Sequence, residues 1–233
     1  HSFPTRRSSD LGVNILMIST SEVKVSCVIA AEDCDRAVAV LCEAFEVKVS
    51  PLPEEKVESL PDESIPPVRG VALDRKQARL AVRQIRDRPG MAAKLFGLLA
   101  QNNISVDTIV QSQRCHRVDG VLTRDLVFSV AEADAELARE ILAENASECG
   151  WGDVELQRAI AKVSAVGAGM ISHPGVAAKM FQVLADAQVN ILTIATSEIK
   201  ISCVVDEENG VKALQAVHAA FGLSGSEKFE MPA

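Results

Sequence analysis

Apolar residues recur along this chain at two spacings. Residues 12–20 form an apolar run fit for a buried strand, and residues 22–29 alternate, with Val23, Val25, Cys27 and Ile29 on one face. Thr20-Ser21 marks a tight connection between them. From Asp33 to Phe45 the apolar positions are Ala37, Val38, Leu41, Cys42 and Phe45, which is helical spacing. The pattern predicts a ββα piece lacking whatever preceded it.

Residues 48–67 break the pattern. Pro51, Pro53, Pro61, Pro66 and Pro67 punctuate an acidic stretch, which reads as an extended linker. A second block follows. Val68–Leu73 and Ala78–Ile85 read as two strands around the polar turn Asp74-Arg75-Lys76-Gln77. Asp87 is placed to cap the next helix, with Pro89 near its first turn and Ala92, Ala93, Leu95, Phe96, Leu98 and Leu99 on its apolar face. Ile104–Val110 is the next strand. Asp119-Gly120 signals a hairpin into Leu126–Val130. Asp134–Asn145 is a second amphipathic helix, and Val154–Ala159 can return as a strand.

The rest of the chain repeats what came before. Val13–Val28 (VNILMISTSEVKVSCV) returns at Val189–Val204 (VNILTIATSEIKISCV) with an offset of 176, held without a gap to Phe45 and Phe221. Asp87–Phe96 (DRPGMAAKLF) returns at Ser172–Phe181 (SHPGVAAKMF) with an offset of 85, which also aligns Thr108-Ile109 with Thr193-Ile194. Two repeats meeting in one block mean that a single module has been reused. Its order is βαββαβ, that of an α+β ferredoxin-like sandwich with helices on one face of an antiparallel sheet. The expected domains are residues 11–47 (the C-terminal part of a truncated module), 68–159 and 160–233, joined by the 48–67 linker.

Composition narrows the function classes. The chain has 233 residues, 48% hydrophobic and 3% aromatic, so its cores are aliphatic and base-stacking platforms are disfavoured. A net charge of −8 with no basic patch argues against nucleic acid. No apolar run approaches a membrane span. The six cysteines form no CxxC pair, which fits reduced thiols in a cytosolic protein. Cys27 and Cys203 hold equivalent strand positions that suit a small buried apolar residue. The opening HSFPTRRSSDL lacks a signal-peptide core and resembles the translation of a common sequencing adapter, so residues 1–10 are expected to be non-native.

Candidate chemistry sits in the loop before each first helix, Asp87-Arg88-Pro89-Gly90 and Ser172-His173-Pro174-Gly175. Pro fixes the turn, Gly lets another molecule approach the backbone, and the free N–H groups of the helix end favour a carboxylate. Asp87 is suited to an ammonium group. Together these make a receptor for a free α-amino acid; the plainer alternative is a helix cap with no ligand. Asn190 with Thr196-Ser197-Glu198, repeated at Asn14 with Thr20-Ser21-Glu22, offers donors and acceptors, or only turn chemistry. Asp107 and Gln111, four apart on one strand, are expected to share a face. Cys115-His116 has no further ligands nearby, so no metal is expected. No phosphate-binding glycine loop and no Ser/His/Asp arrangement is present.

As a set, DRPGMAAKLFGLLA, ISVDTIVQSQ, AKVSAVGAGMISHPGVAAKMF and VNILTIATSEIKISCVV resemble the regulatory region of aspartate kinase, built from ACT domains, over residues 11–223. The resemblance implies feedback control of aspartate-family biosynthesis by lysine, threonine or both. By position it carries effector contacts to Asp87, Gly90, Met91, Ala92, Asp107 and Gln111, with Asn190 and Ile191 completing the pocket from the neighbouring module. Thr196, Ser197 and Glu198 would line an interface, in a homodimer formed through the ACT domains. The kinase domain should precede this region. ATP and magnesium are expected only there, so this chain alone is expected to be inactive and to hold no cofactor. A ligand-free interaction module, the ACT tail of another amino-acid enzyme and an acylphosphatase-type enzyme are the alternatives. The last needs an Arg and Asn on a phosphate loop that the sequence lacks.

Overall fold

A computed structural model of the chain describes residues 12–21, 24–47, 66–111, 115–170 and 172–223. Residues 1–10, nearly all of the expected linker, and Glu22 and Val23 lie outside the described residues. The chain divides into two compact units. One comprises His1–Val57 with Lys76–Arg158, and the other Glu58–Arg75 with Ala159–Ala233.

The first unit opens with β1 (Met17–Ser21), β2 (Lys24–Val28) and α1 (Cys34–Ala44), the expected ββα piece. Strand β3 (Gly70–Arg86) enters it at Lys76. It leads into α2 (Met91–Gln101), β4 (Val106–Gln111), the hairpin β5 (His116–Val118) and β6 (Val121–Ala131), and α3 (Ala135–Glu144). A short α4 (Ala146–Cys149) and the start of β7 (Val154–Val166) close it. The antiparallel order is β2-β1-β4-β6-β3, with β5 on β6.

The core of this unit lies between the sheet and the helices that cover one face. Leu80, Val82, Leu126 and Phe128 from the strands meet Leu95 and Leu99 of α2 and Leu142 of α3, all buried. Each such side chain contributes about 1.5–3 kcal/mol by leaving water. Trp151 closes the core and donates its indole N–H to the Leu142 carbonyl at 2.9 Å.

In the second unit β7 continues to Val166 and is followed by α5 (Val176–Asp186), β8 (Thr193–Thr196), β9 (Lys200–Asp206) and α6 (Gly210–Ala220). β9 lies between β7 and β8, antiparallel to both. Upstream chain joins this core: the Arg69 N–H bonds the Val166 carbonyl at 2.8 Å, and Val68, Val71 and Leu73 pack with Val163, Met180, Leu184 and Val217.

The structure corrects several local expectations. The two strands expected at Val68–Leu73 and Ala78–Ile85 are parts of one strand of 17 residues, β3, which begins at Gly70. Residues 74–77 contain no Gly, Pro or Asn to force a turn. They fall between the stretch that feeds one core and the stretch that feeds the other, so apolar residues are not required there. The return strand begins at Val154 as expected but runs to Val166.

Cys203 is buried, whereas its counterpart Cys27 is exposed. The same contrast holds along the repeat. Val25 is 70% and Leu41 54% exposed, while Ile201 and Val217 at the matching positions are buried. In the second unit α5 and β7 cover those positions; among the described residues nothing plays that part over β2 and α1.

Candidate functional site

The loop Asp87–Gly90 is delivered by a break in β3. The register with β6 shifts between Val82 and Ile85, and Gln84 takes φ +55. The extra residue returns Ile85 to the core face and turns the chain toward α2. Gly90 then adopts φ +86 as the N-cap of α2, with no side-chain cap. Asp87 therefore does not cap the helix, contrary to expectation: the turn through Pro89 and Gly90 separates it from the helix end. Gly175 repeats the conformation before α5, at φ +94. Both positions favour glycine, because a Cβ there meets the following carbonyl. The first N–H groups of α2 are left without a side-chain acceptor, which makes the helix end receptive to a carboxylate.

Asp87 has partners that sequence reasoning did not supply. Arg124 Nη2 lies 3.0 Å from Asp87 Oδ2, with side chains only 13% and 10% exposed. Asn14 Nδ2 donates to Asp87 Oδ1 at 3.4 Å, and the Cys115 thiol approaches Oδ2 at 3.8 Å. The Asp87 N–H bonds the Leu122 carbonyl at 2.9 Å. Arg124 also donates to the Leu16 carbonyl at 2.8 Å, so one guanidinium ties the loop to the segment before β1. Nothing in the sequence marks Arg124 for this role. Asn14 was legible, because it is the counterpart of Asn190 at the offset of 176.

β1 and β4 form the second wall. Ser19 pairs with Val110 in the antiparallel register. The Thr20 hydroxyl accepts the Ile109 N–H at 2.8 Å and donates to the Asp107 carbonyl at 3.2 Å. A buried side chain thus satisfies β4 backbone where β4 is irregular: its register with β6 shifts between Val106 and Ile109. That shift lies beside Asp107, so alternation alone does not decide whether Asp107 and Gln111 share a face. Asp107 and Gln111 are both half-buried on β4. Gln111 Oε1 is buried with no hydrogen-bond donor among the described residues. A buried carbonyl left unpaired is costly, and a donor supplied by a ligand would relieve it.

The other expected residues take these places. Met91 is buried at the first helical position, with Arg88 Nε 3.4 Å from its sulfur, and Ala92 beside it is half-buried. Asn190 is exposed and Ile191 half-buried, both in the second unit ahead of β8. Thr196 and Glu198 are exposed. Ser197, whose N–H bonds the Lys200 carbonyl at 2.8 Å, is half-buried in the β8–β9 turn. The second loop differs from the first: Ser172 stands where Asp87 does, and His173 Nδ1 lies 2.8 Å from the Gly169 carbonyl. No described helix is long and apolar enough to cross a membrane.

One ACT-domain model matches residues 80–146, and another matches residues 8–45 and 163–221. The structure of aspartate kinase from Synechocystis is 53% identical, with a TM-score of 0.85 over 99% of this chain and 38% of that one. The regulatory subunit of aspartate kinase from Thermus thermophilus is 44% identical, with a TM-score of 0.59 over 66% of this chain and 98% of its own. Aspartokinase III of E. coli in complex with lysine and aspartate is 26% identical, with a TM-score of 0.54 over 68% of this chain and 34% of its own. The chain spans about 38% of the length of the curated aspartokinases it matches.

Proposed function

From the premise that this chain belongs to the aspartate kinase family, as a regulatory region of ACT domains, we propose that it senses a free amino acid, lysine or threonine, in the cytosol. The observation that carries the reading is the loop that joins an uncapped helix end at Gly90 to the Asn14 amide on Asp87; the unpaired Gln111 carbonyl on β4 is a further acceptor. A carboxylate suits the helix N-terminus, and an ammonium group suits acceptors such as Gln111 and the second oxygen of Asp87. The lysine in the E. coli aspartokinase III structure supports that ligand class for a relative of the same fold.

Binding would be coupled to activity by differential affinity. The proposed site draws on two chain segments, before β1 and around the 87–90 loop. A ligand bridging them favours the arrangement in which they are close, and the phosphorylation of aspartate by ATP and magnesium in the whole enzyme would respond to that preference. The sign of the response is inhibition, as expected for an end product.

One observation favours a second reading. The Asp87 carboxylate already holds Arg124, so the loop has a structural role with no ligand bound. A pure interaction module would stop there.

Thermal unfolding of the chain with millimolar lysine, threonine, both, or alanine separates the two readings. Ligand at 100 times its dissociation constant stabilises by about 2.7 kcal/mol, a shift of several degrees. A shift with lysine or threonine and not with alanine is expected. No shift in a folded sample would favour the interaction module.

A further inference from the structure

Of the two loops that precede a first helix, only one carries a charged pair. Arg124 Nη2 lies 3.0 Å from Asp87 Oδ2. At the offset of 85 the counterpart of Asp87 is Ser172. The counterpart of Arg124 follows from strand register. Phe128 pairs with Ile109 and Cys203 with Ile194, and Ile109 corresponds to Ile194. Arg124, four residues before Phe128, therefore corresponds to Ile199, four before Cys203. The Ser172 hydroxyl donates to the Gly169 carbonyl at 3.2 Å, and Ile199 is 47% exposed. Both charges are absent together from the second loop. Neither is needed to form the turn, since Gly175 takes the backbone conformation of Gly90 without them.

The way Arg124 is held marks it as a replaceable occupant. Nη1 donates to the Leu16 carbonyl at 2.8 Å and Nη2 faces Asp87. Nε is buried and finds no acceptor among the described residues. A buried donor without an acceptor costs free energy, so the guanidinium is not fully satisfied where it stands. Asp87 Oδ1 receives only the Asn14 amide at 3.4 Å, and Oδ2 is taken by Arg124. An ammonium group arriving at the loop finds the carboxylate already neutralised from within. Sharing it would bring two positive charges close together at a site screened from water.

We propose that Arg124 is an internal competitor for the effector. Its guanidinium stands where the ammonium group of an amino acid pairs with Asp87, and binding displaces it. This rests on the amino-acid-sensing reading of the Asp87 loop. Arg124 keeps its bond to Leu16 when displaced, so the tie between the loop and the segment before β1 passes from the guanidinium to the ligand. Affinity is then set by how rarely the pair opens: an open fraction of about one in ten weakens apparent binding about tenfold.

The test is calorimetric titration of lysine, threonine and alanine into the unsubstituted full chain, R124M and R124K. R124M removes the competitor and is expected to bind lysine or threonine about tenfold more tightly, although it is the less stable protein. A purely structural role predicts the opposite sign, a loosened loop and weaker binding. R124K keeps a charge beside Asp87 but lacks the fork that spans two acceptors. Its affinity is expected to fall between the other two, and it carries the test if R124M fails to fold. Guanidinium chloride at low millimolar concentration is expected to raise the melting temperature of R124M and return its affinity toward that of the unsubstituted chain. Sodium chloride at the same ionic strength is expected to do neither. Equal or weaker binding in both variants would overturn the proposal and leave the effector reading standing. So would a gain in R124M that guanidinium does not reverse. No binding of lysine or threonine to any of the three proteins would sink both.

Discussion

Arg124 and Asp87 face each other at 3.0 Å with their side chains only 13% and 10% exposed. A buried ion pair adds little over an apolar pair of the same shape, but removing one partner strands the other. Asp87→Asn leaves the Arg124 guanidinium buried without its counter-charge, for a loss of about 3 kcal/mol. Trp151, the chain's one tryptophan, is buried in the same unit and reports its unfolding by fluorescence. Adding Arg124→Met to Asp87→Asn should recover part of the loss. If the single variant melts with the parent, the pair is not holding the loop.

Thr20 is tested through its two hydrogen bonds to β4. Thr20→Val keeps the shape and removes both contacts to β4, with Ile109 N–H and the Asp107 carbonyl. A loss of about 1–2 kcal/mol is expected, since a buried N–H is left unpaired. Hydrogen exchange at the Ile109 amide should quicken well beyond that of Leu126 and Phe128 on β6. Equal protection in parent and variant would show that the hydroxyl does not fasten β1 to β4.

These two residues mark what the sequence could and could not disclose. Asn14 and Thr20 lie inside a repeat that alignment of the chain with itself exposes, so their importance was legible. Which loop they serve was not, because pairing of distant segments leaves no trace in local periodicity. Arg124 sits in a strand whose alternation reports burial and says nothing of a partner 37 positions away. The helices were read to within a residue or two, since their apolar faces keep the helical period. The bulges at Gln84 and between Val106 and Ile109 were missed, because an extra residue shifts the two-residue period without changing composition. The run 74–77 misled because polarity was taken for a turn, when it only marks the stretch of β3 between two cores.

Burial raises the thiol of Cys203 from its ordinary 9.0 to about 12. Between these values the unfolded chain gives up the thiol proton and the folded chain holds it. Stability from this group is therefore complete below pH 9 and falls as pH rises through that window. Cys203→Ala should flatten the alkaline limb of the stability curve, at the expense of a small cavity. At pH 8 a thiol reagent should label Cys34 and Cys115 quickly and leave Cys149 and Cys203 untouched until unfolding. Labelling of Cys203 at the rate of Cys115 would contradict the closed core of the second unit.

Gly167 tests how the upstream segment is held in the second unit. A Cβ added there would lie 2.2 Å from the Pro67 carbonyl oxygen and 2.8 Å from Val68 Cα, both backbone atoms. Neither can swing away as a side chain could. Val68 is itself buried in the core, and Arg69 is bonded to the Val166 carbonyl, so the segment is pinned on both sides of the clash. Gly167→Ala should cost about 3 kcal/mol or more, at the upper end for a small substitution, because the chain must move. Gly70→Ala is the control: nothing lies within 4 Å of its Cβ position, and alanine in a strand is no worse than glycine. Thermal unfolding of the two variants side by side is the measurement. A large drop for position 167 with none at position 70 places the 67–69 segment against β7 in solution. Equal midpoints would mean that the segment lifts off at little cost, and that the second unit folds without it.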